Sequence, residues 1–315
     1  MTDYRAKTNR YLLTASIIIL CQTCLVLPIS AKEFSMPDLH KMKMDQPNIS
    51  HVLFHPRPVP KNPVPNQAQN IDLDVAQDVT IGCRLFTSDR NAPVILFFHG
   101  NGETVPDYDS IGPMYTSQGI NFLITDYRGY GWSTGQPSAS TLLGDARTIY
   151  REVTSWLKDN DYTGSLFIMG RSMGSACAID LAAEHDAEIS GLIIESGFAE
   201  TLPLALTLGI DLAAMGITED DSFNNSSKIS SVTKPTFILH GQRDSLIPVR
   251  QAEKLHAACS ARTKELQVVP GADHNTLIAV GGILYFQAIG NFINKVTGKN
   301  TWRERRKRFS QQKNH

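Results

Sequence analysis

Short apolar segments rich in β-branched residues alternate with longer amphipathic segments through most of the chain. The short segments are residues 94–98, 122–125, 166–169, 192–194, 236–239 and 266–269, and the long ones are residues 140–158, 173–185, 249–259 and 276–296. Uninterrupted apolar strands separated by amphipathic helices are typical of a mostly parallel sheet that is covered on both faces. The pattern therefore predicts an α/β fold, with segments 71–75 and 79–86 as an antiparallel hairpin at one edge of the sheet.

The chain opens with a basic stretch that is followed by an apolar one. Arg5, Lys7 and Arg10 precede an apolar run over residues 11–29, and Ala31 is a small residue suited to a cleavage site. Residues 1–31 fit a cleaved export signal, and the length of the run also fits an uncleaved anchor that crosses the bilayer once. In both cases the basic end stays in the cytoplasm and the rest of the chain is exported. We expect an extracytoplasmic protein, periplasmic or secreted, that associates with the membrane if the anchor is retained.

Residues 32–70 hold seven of the sixteen prolines. Proline fixes φ and lacks an N–H group, so this stretch is predicted to be a stiff, extended linker, with a short strand near residues 51–54 as an alternative within it. The globular domain then spans residues 71–296. Residues 297–315 form a basic tail, whose charges at 303–308 suit either anionic lipid or a solvated, disordered end.

Composition limits the classes of function. With 42% hydrophobic residues the chain can bury a sizeable core, and 30 basic against 31 acidic residues give no overall basic footprint for nucleic acid. Cys83, Cys177 and Cys259 are odd in number and irregularly spaced, which argues against a disulfide framework or a zinc cluster. Metal and nucleotide motifs are also missing, so we expect no cofactor.

The segment Gly170-Arg171-Ser172-Met173-Gly174 follows a predicted strand and precedes a predicted helix. This is the context that the G-x-S-x-G motif requires, because its glycines allow a turn sharp enough to expose the serine hydroxyl above the sheet. A serine needs a base, and the base needs an acid that fixes its tautomer. Asp244 and His274 follow the next two suitable strands, so Ser172, Asp244 and His274 are candidate catalytic residues in the chain order of that fold.

A tetrahedral intermediate carries negative charge on oxygen, so N–H donors are expected beside the serine. The Met173 N–H is one candidate because Met173 follows the nucleophile. The second donor is expected from His99-Gly100-Asn101-Gly102, the loop after segment 94–98. Asn101 is the candidate there, and Gly102 is the alternative.

These motifs resemble the α/β-hydrolase superfamily. Four segments, residues 99–102, 126–133, 170–174 and 240–244, resemble the small, often membrane-anchored group of serine hydrolases that includes eukaryotic protein depalmitoylases. The resemblance implies a serine hydrolase that needs neither cofactor nor metal. It also implies that Asp126, Arg128 and Glu195 brace loops, although some relatives carry the triad acid at the position of Glu195. The chain departs from the group at Asn101-Gly102-Glu103, where small residues are usual.

We expect an enzyme that cleaves esters or thioesters of a small or lipid-like acyl substrate through an acyl-enzyme. An amidase or small peptidase would use the same residues, and a non-catalytic binding module is the alternative from another class. Residues 198–231 have room for one or two helices as a short lid. Leu204, Leu208 and Leu212 recur there every four residues, which suits either ordinary helix packing or an acyl-chain groove.

Overall fold

The computed structural model describes residues 41–299. The predicted signal or anchor and the basic run at 303–308 lie outside these residues. Within them, no helix combines the length and the hydropathy needed to cross a membrane.

The described part of the chain is built on an eight-stranded sheet with helices on both faces. Its strands follow the order β1-β2-β4-β3-β5-β6-β7-β8, with β1 and β2 antiparallel to their neighbours and the rest parallel. The strands are β1 Ala68–Ala76, β2 Val79–Phe86, β3 Val94–Phe98, β4 Asn121–Thr125, β5 Leu166–Arg171, β6 Gly191–Glu195, β7 Thr236–Gly241 and β8 Lys264–Val269. The predicted α/β fold and its edge hairpin are confirmed.

Nine α-helices connect or flank the strands within residues 41–299. They are α1 Pro47–Leu53, α2 Gly112–Thr116, α3 Ala139–Asp159, α4 Gly174–Glu184, α5 Thr201–Thr207, α6 Asn225–Ile229, α7 Arg250–Ala258, α8 Leu277–Gly281 and α9 Ile283–Val296. The single helix predicted over residues 276–296 is wrong, because Gly282 takes φ 51° and ψ −136° and divides it into α8 and α9. Only glycine adopts such a conformation readily.

Alternate side chains of the central strands point into two cores. In β3, Leu96 and Phe98 belong to the core that includes α3, α4 and α7, whereas Ile95 and Phe97 face the core that includes α2 and α9. All five residues of β3 are buried, because helices cover the strand on both sides. This explains why the central strands are continuous apolar runs instead of alternating ones.

The proline-rich segment is not the extended linker that the sequence predicts, at least from residue 41 onward. Residues 47–53 form α1 with Pro47 at its first turn, where a missing N–H costs nothing, so the predicted strand at 51–54 is also wrong. Met44, Ile49 and Phe54 are buried in the domain core. The eight residues between Pro47 and Pro56 contain no proline, and their apolar side chains gain more by packing than by staying solvated. The structural domain therefore begins before residue 71.

The predicted lid segment contains α5 and α6 and lies between β6 and β7. Leu212 is buried, and Leu204 and Leu208 pack against the core, whereas Leu206 is 60% exposed. The leucine stripe is thus used for helix packing. A cavity of 40 Å³ lies between α5 and residues 246–251, and this cavity is too small for an acyl chain.

Packing of α1 predicts a loss of stability on truncation of its buried side chain. We expect Ile49→Ala to lower the free energy of unfolding by about 2–5 kcal/mol, as for other fully buried aliphatic residues. Val64→Ala, at a residue of the same proline-rich segment that is 44% exposed, should change it by less than about 0.5 kcal/mol. Urea unfolding of both variants measures the difference. Equal, small effects would mean that the segment is a detachable tether.

Candidate active site

Ser172 stands at a strained turn between β5 and α4. Its φ is 52°, in the left-handed region that non-glycine residues rarely adopt. The flanking glycines are required by space, because a Cβ on Gly174 would lie 2.1 Å from the Phe98 carbonyl oxygen and one on Gly170 would lie 2.2 Å from the Gly174 carbonyl oxygen. The Ser172 N–H donates to the Glu195 carbonyl at 2.9 Å. Tight packing of backbone on backbone thus fixes where the hydroxyl stands.

Three side chains that are far apart in sequence form one chain of hydrogen bonds. His274 Nε2 lies 2.9 Å from Ser172 Oγ, and His274 Nδ1 lies 2.7 Å from Asp244 Oδ2. The residues come from the ends of β5, β7 and β8, which meet at the same edge of the sheet because these strands are parallel. The structure therefore brings together the serine, the base and the acid that the motifs predict.

Asp244 is held on both of its oxygens. Oδ1 accepts the backbone N–H groups of Leu246 and Ile247 at 3.1 and 2.8 Å, which leaves Oδ2 for His274. Burial raises the pKa of this carboxyl, but hydrogen bonds from His240 and His274 and the charge of His274 outweigh burial, so its pKa lies well below the ordinary value. His240 Nε2 donates to the Ile247 carbonyl at 2.7 Å and lies 3.4 Å from Asp244 Oδ2.

Glu195, the alternative acid, faces other partners. It accepts from Arg171 Nε at 3.2 Å and from the Tyr285 hydroxyl at 2.6 Å. Burial raises the pKa of Glu195 above its ordinary value, more than the nearby Arg171 lowers it. The geometry therefore favours Asp244 over Glu195 as the partner of His274.

Arg171 is a residue of the site that sequence reasoning passed over. It is buried beside Ser172, forms ion pairs with Glu103 and Glu195, and donates to the His274 carbonyl at 2.8 Å. A Cβ on Gly100 would lie 2.5 Å from its guanidinium, so Gly100 leaves the space for the pair with Glu103. The sequence does indicate this cluster, because Glu103, Arg171 and Glu195 lie at or just after the carboxyl ends of three neighbouring strands. One cation thus joins the nucleophile turn to the loops after β3, β6 and β8.

The candidate oxyanion donors are free to bind. Among residues 41–299, the backbone N–H groups of Asn101, Gly102 and Met173 donate to no protein acceptor. Gly102 has φ 77° with open space around it, and the Asn101 side chain is engaged by residues that precede β1. The choice between Asn101 and Gly102 as second donor stays a prediction.

Asp126 and Arg128, which are expected to brace loops, each form hydrogen bonds with a residue of another segment. His99 Nε2 lies 3.1 Å from Asp126 Oδ1, which also accepts the Val105 N–H at 2.9 Å. Arg128 binds Asp145 through two hydrogen bonds of 2.7 Å each. These pairs connect the loops after β3 and β4 to each other and to α3.

A cleft of 440 Å³ lies beside the loop that carries His274. Its polar lining comes from Glu103, Asp107, Tyr108, Arg171, Glu195 and Asn275, and its apolar lining from Ile111, Leu277, Ile278 and Ala279. Its volume falls in the range of small-molecule sites. Within residues 41–299, no group of three or more His, Cys, Asp or Glu side chains could hold a metal ion, and Cys83, Cys177 and Cys259 are buried free thiols.

The lowered pKa of Asp244 predicts a specific dependence of stability on pH. The ordinary pKa is about 3.9 and the folded value is lower, so between the two values the unfolded chain binds a proton that the folded chain does not. The stabilisation is complete above the ordinary value and is lost as the pH falls through the folded one. Asp244→Asn should therefore reduce the fall in the free energy of unfolding between pH 7 and pH 3.

Urea titrations at several pH values measure this difference. Asp159→Asn, which removes an exposed carboxyl at the end of α3, is the matched control and should follow the wild type. Parallel curves for wild type and Asp244→Asn would contradict the prediction.

Comparison with known proteins supports this fold. The family described as serine aminopeptidase, S33, matches residues 89–213. Protein bem46 of Schizosaccharomyces pombe is 28% identical over 235 residues, which cover 71% of this chain and 76% of that protein. An uncharacterized protein of Mycobacterium tuberculosis is 28% identical over 241 residues, which cover 74% and 84% of the two chains.

Similar solved structures have the same fold. An esterase of Pyrococcus furiosus matches with a TM-score of 0.61 at 20% identity, over 76% of this chain and 98% of the esterase. A soluble variant of monoglyceride lipase from Saccharomyces cerevisiae matches with a TM-score of 0.59 at 20% identity, over 75% and 96% of the two chains. With its eight-stranded, mostly parallel sheet and its serine at the turn after β5, the chain has the α/β-hydrolase fold of these structures.

Proposed function

We propose that this protein is a serine hydrolase that cleaves ester or thioester bonds of an acyl substrate, with Ser172, His274 and Asp244 as its catalytic triad. The observation that carries the proposal is the unbroken hydrogen-bond chain from Ser172 Oγ through both ring nitrogens of His274 to Asp244. The match to a serine aminopeptidase family over residues 89–213 and the shared fold with an esterase and a lipase make hydrolysis the expected chemistry. A non-catalytic binding module would have no need to keep these three side chains in hydrogen-bonding contact.

The reaction follows from the contacts. Asp244 accepts a hydrogen bond from the Nδ1–H group of His274, which keeps the proton on Nδ1 and leaves the Nε2 lone pair facing Ser172 Oγ. His274 takes the serine proton as Oγ attacks the carbonyl carbon, and the N–H groups of Met173 and Asn101 stabilise the oxyanion. His274 then gives the proton to the leaving alcohol or thiol. Water, activated by His274, attacks the acyl-enzyme and releases the acid, so Ser172 is regenerated.

The cleft of 440 Å³ is proposed to receive part of the substrate, because the cavity under the lid holds only 40 Å³. The cleft combines the apolar side chains of Ile111, Leu277 and Ile278 with a polar lining that includes Arg171. Its size suits a small-molecule acyl group. This replaces the leucine-rich lid as the proposed site of specificity.

Amide hydrolysis is the second candidate, favoured by the description of the matching family as serine aminopeptidase. The same triad cleaves both bond types. Parallel assays with a p-nitrophenyl ester and a p-nitroanilide of the same acyl group distinguish them.

The proposed location is extracytoplasmic. It is supported by the apolar run at residues 11–29 and the basic residues before it. The substrate would accordingly be an exported or membrane-derived acyl compound.

The nucleophile is tested by covalent labelling. A fluorophosphonate should label the wild type at Ser172, as mapped by mass spectrometry, and should not label Ser172→Ala, which should also lose hydrolysis of p-nitrophenyl butyrate by at least about 10³-fold. Ser227→Ala, at an exposed serine of α6, is the control and should behave as the wild type. Retained hydrolysis in folded Ser172→Ala would overturn the proposal.

The cleft is tested by filling it. Ala279→Trp should raise the KM for p-nitrophenyl octanoate more than for p-nitrophenyl acetate, since only the longer acyl group needs the space. Val280→Trp, at the next residue, which is half exposed and outside the cleft lining, is the matched control. If Ala279→Trp affects both esters equally, the acyl group does not lie in this cleft.

A further inference from the structure

The Asn101 side chain uses its full hydrogen-bonding capacity on a segment outside the central fold. Its Oδ1 accepts from the His55 N–H at 2.9 Å and from the Tyr130 hydroxyl at 2.6 Å. Its Nδ2 donates to the Leu53 carbonyl at 2.9 Å and to His55 Nδ1 at 2.8 Å. A carboxamide accepts two hydrogen bonds and donates two, so nothing is left over. Three of the four bonds go to residues 53–57, here called the N-terminal strap.

A second contact holds the next peptide of the same loop. Arg57, at the end of the strap, donates from Nε to the Gly102 carbonyl at 3.0 Å and from Nη2 to Thr104 Oγ1 at 3.1 Å. It also forms an ion pair with Asp107. The strap therefore binds the loop after β3 on both sides of the peptide that joins Asn101 to Gly102.

The strap itself is fixed to the body of the protein. Phe54 is buried, and the strap continues from α1, whose Ile49 and Leu53 lie in the core. Past Arg57, the Val59 N–H donates to the Gly131 carbonyl at 2.8 Å. A segment held at both ends can restrain what it binds.

The loop needs such a restraint. Asn101 stands between Gly100 and Gly102, and glycine has the largest backbone freedom of any residue. Gly102 has no atom within 4 Å of the position a Cβ would take, so packing does not fix it. A free N–H donor stabilises an oxyanion only if it is held in place before the charge develops.

We infer that the N-terminal strap is part of the active site: through Arg57 and the Asn101 side chain it positions the backbone N–H donor of the oxyanion hole. This inference rests on the proposed function. The Asn101 side chain holds the loop, whichever of the Asn101 and Gly102 N–H groups binds the oxyanion, and Arg57 and His55 are positioning residues. Because the donor acts on the transition state, the strap should affect kcat and leave substrate affinity nearly unchanged.

The test compares two basic residues of the same proline-rich segment. Arg57→Ala removes the contacts to the Gly102 carbonyl and Thr104. Lys61→Ala is the matched control, because Lys61 is a similarly exposed cation paired with Asp72, away from the loop. Asn101→Asp is the second variant: it keeps the size of the side chain and replaces the two N–H donors by an acceptor facing the Leu53 carbonyl and His55 Nδ1.

Steady-state hydrolysis of p-nitrophenyl butyrate, inhibition by a trifluoromethyl ketone and thermal unfolding are measured for each variant. We expect Arg57→Ala and Asn101→Asp to lower kcat at least about 10-fold, with the roughly 10²–10³-fold effect of losing a whole oxyanion donor as the upper limit. KM should stay within about 2-fold, and the inhibition constant of the ketone, which forms a tetrahedral adduct, should rise by about the factor by which kcat falls. Lys61→Ala should match the wild type.

Other outcomes overturn the inference in distinguishable ways. Wild-type kcat in folded Arg57→Ala and Asn101→Asp would mean that the loop holds its donor without the strap. A fall in kcat that Lys61→Ala shares, or one that follows the loss of thermal stability while the ketone binds as before, would mean a structural role only. A wild type that neither hydrolyses the ester nor reacts with fluorophosphonate would overturn the proposed function, and this inference with it.

Discussion

The buried guanidinium of Arg171 is the interaction on which the assembly of the site depends. It lies between the carboxylates of Glu103 and Glu195 and donates to the backbone carbonyl of His274. Removing one partner from a buried ion pair costs about 3–5 kcal/mol, because the remaining charge is left without compensation. Here the loss would expose two carboxylates to each other beside the nucleophile turn. Four loops keep their arrangement because they share this one cation.

The charge balance of this cluster is reflected in its two acids. Burial raises the pKa of Glu103, but Arg171, His99 and the hydrogen bonds from Tyr108 and the Gly100 N–H together hold it below its ordinary value. At Glu195 burial dominates and raises the pKa. Tyr285 donates a hydrogen bond to Glu195, and Tyr108 donates one to Glu103. These hydroxyl groups stabilise the carboxylates where a second cation would otherwise be needed. The cluster can thus carry an excess negative charge next to a base whose conjugate acid is positive.

Much of the fold follows from the sequence because a strand buried on both faces of the sheet is a continuous apolar run, which is easy to recognise. The five residues of β3 were predicted with their correct bounds, and the juxtaposition of Ser172 with His274 follows once parallel strands are assigned, since their carboxyl ends share one edge. The direction in which a loop side chain points leaves no comparable pattern in the sequence. The ion pairs of Arg171 and the hydrogen bonds of Asn101 depend on which way a side chain turns within a loop, and the pattern does not encode that.

Proline content was misleading for a related reason. Prolines in residues 32–70 predict the absence of regular structure on average, but α1 needs only the short run without proline that follows Pro47. Likewise the helical pattern over 276–296 continues through Gly281 and Gly282, since the apolar spacing survives where the backbone turns. Local backbone chemistry overrode the periodic pattern in both places.

The sequence separation of the contacts in the site has a consequence for folding. The strap meets Asn101 across 46 residues, whereas His274 meets Ser172 across 102 residues, at the end of the last strand of the sheet. A chain emerging from its N-terminus can therefore form the contact between the strap and Asn101 early, and brings His274 to Ser172 only after β8 has joined the edge. Under the proposed mechanism, Ser172 has no proton acceptor until that strand docks. The proposed nucleophile would then stay unactivated while the domain is unfinished.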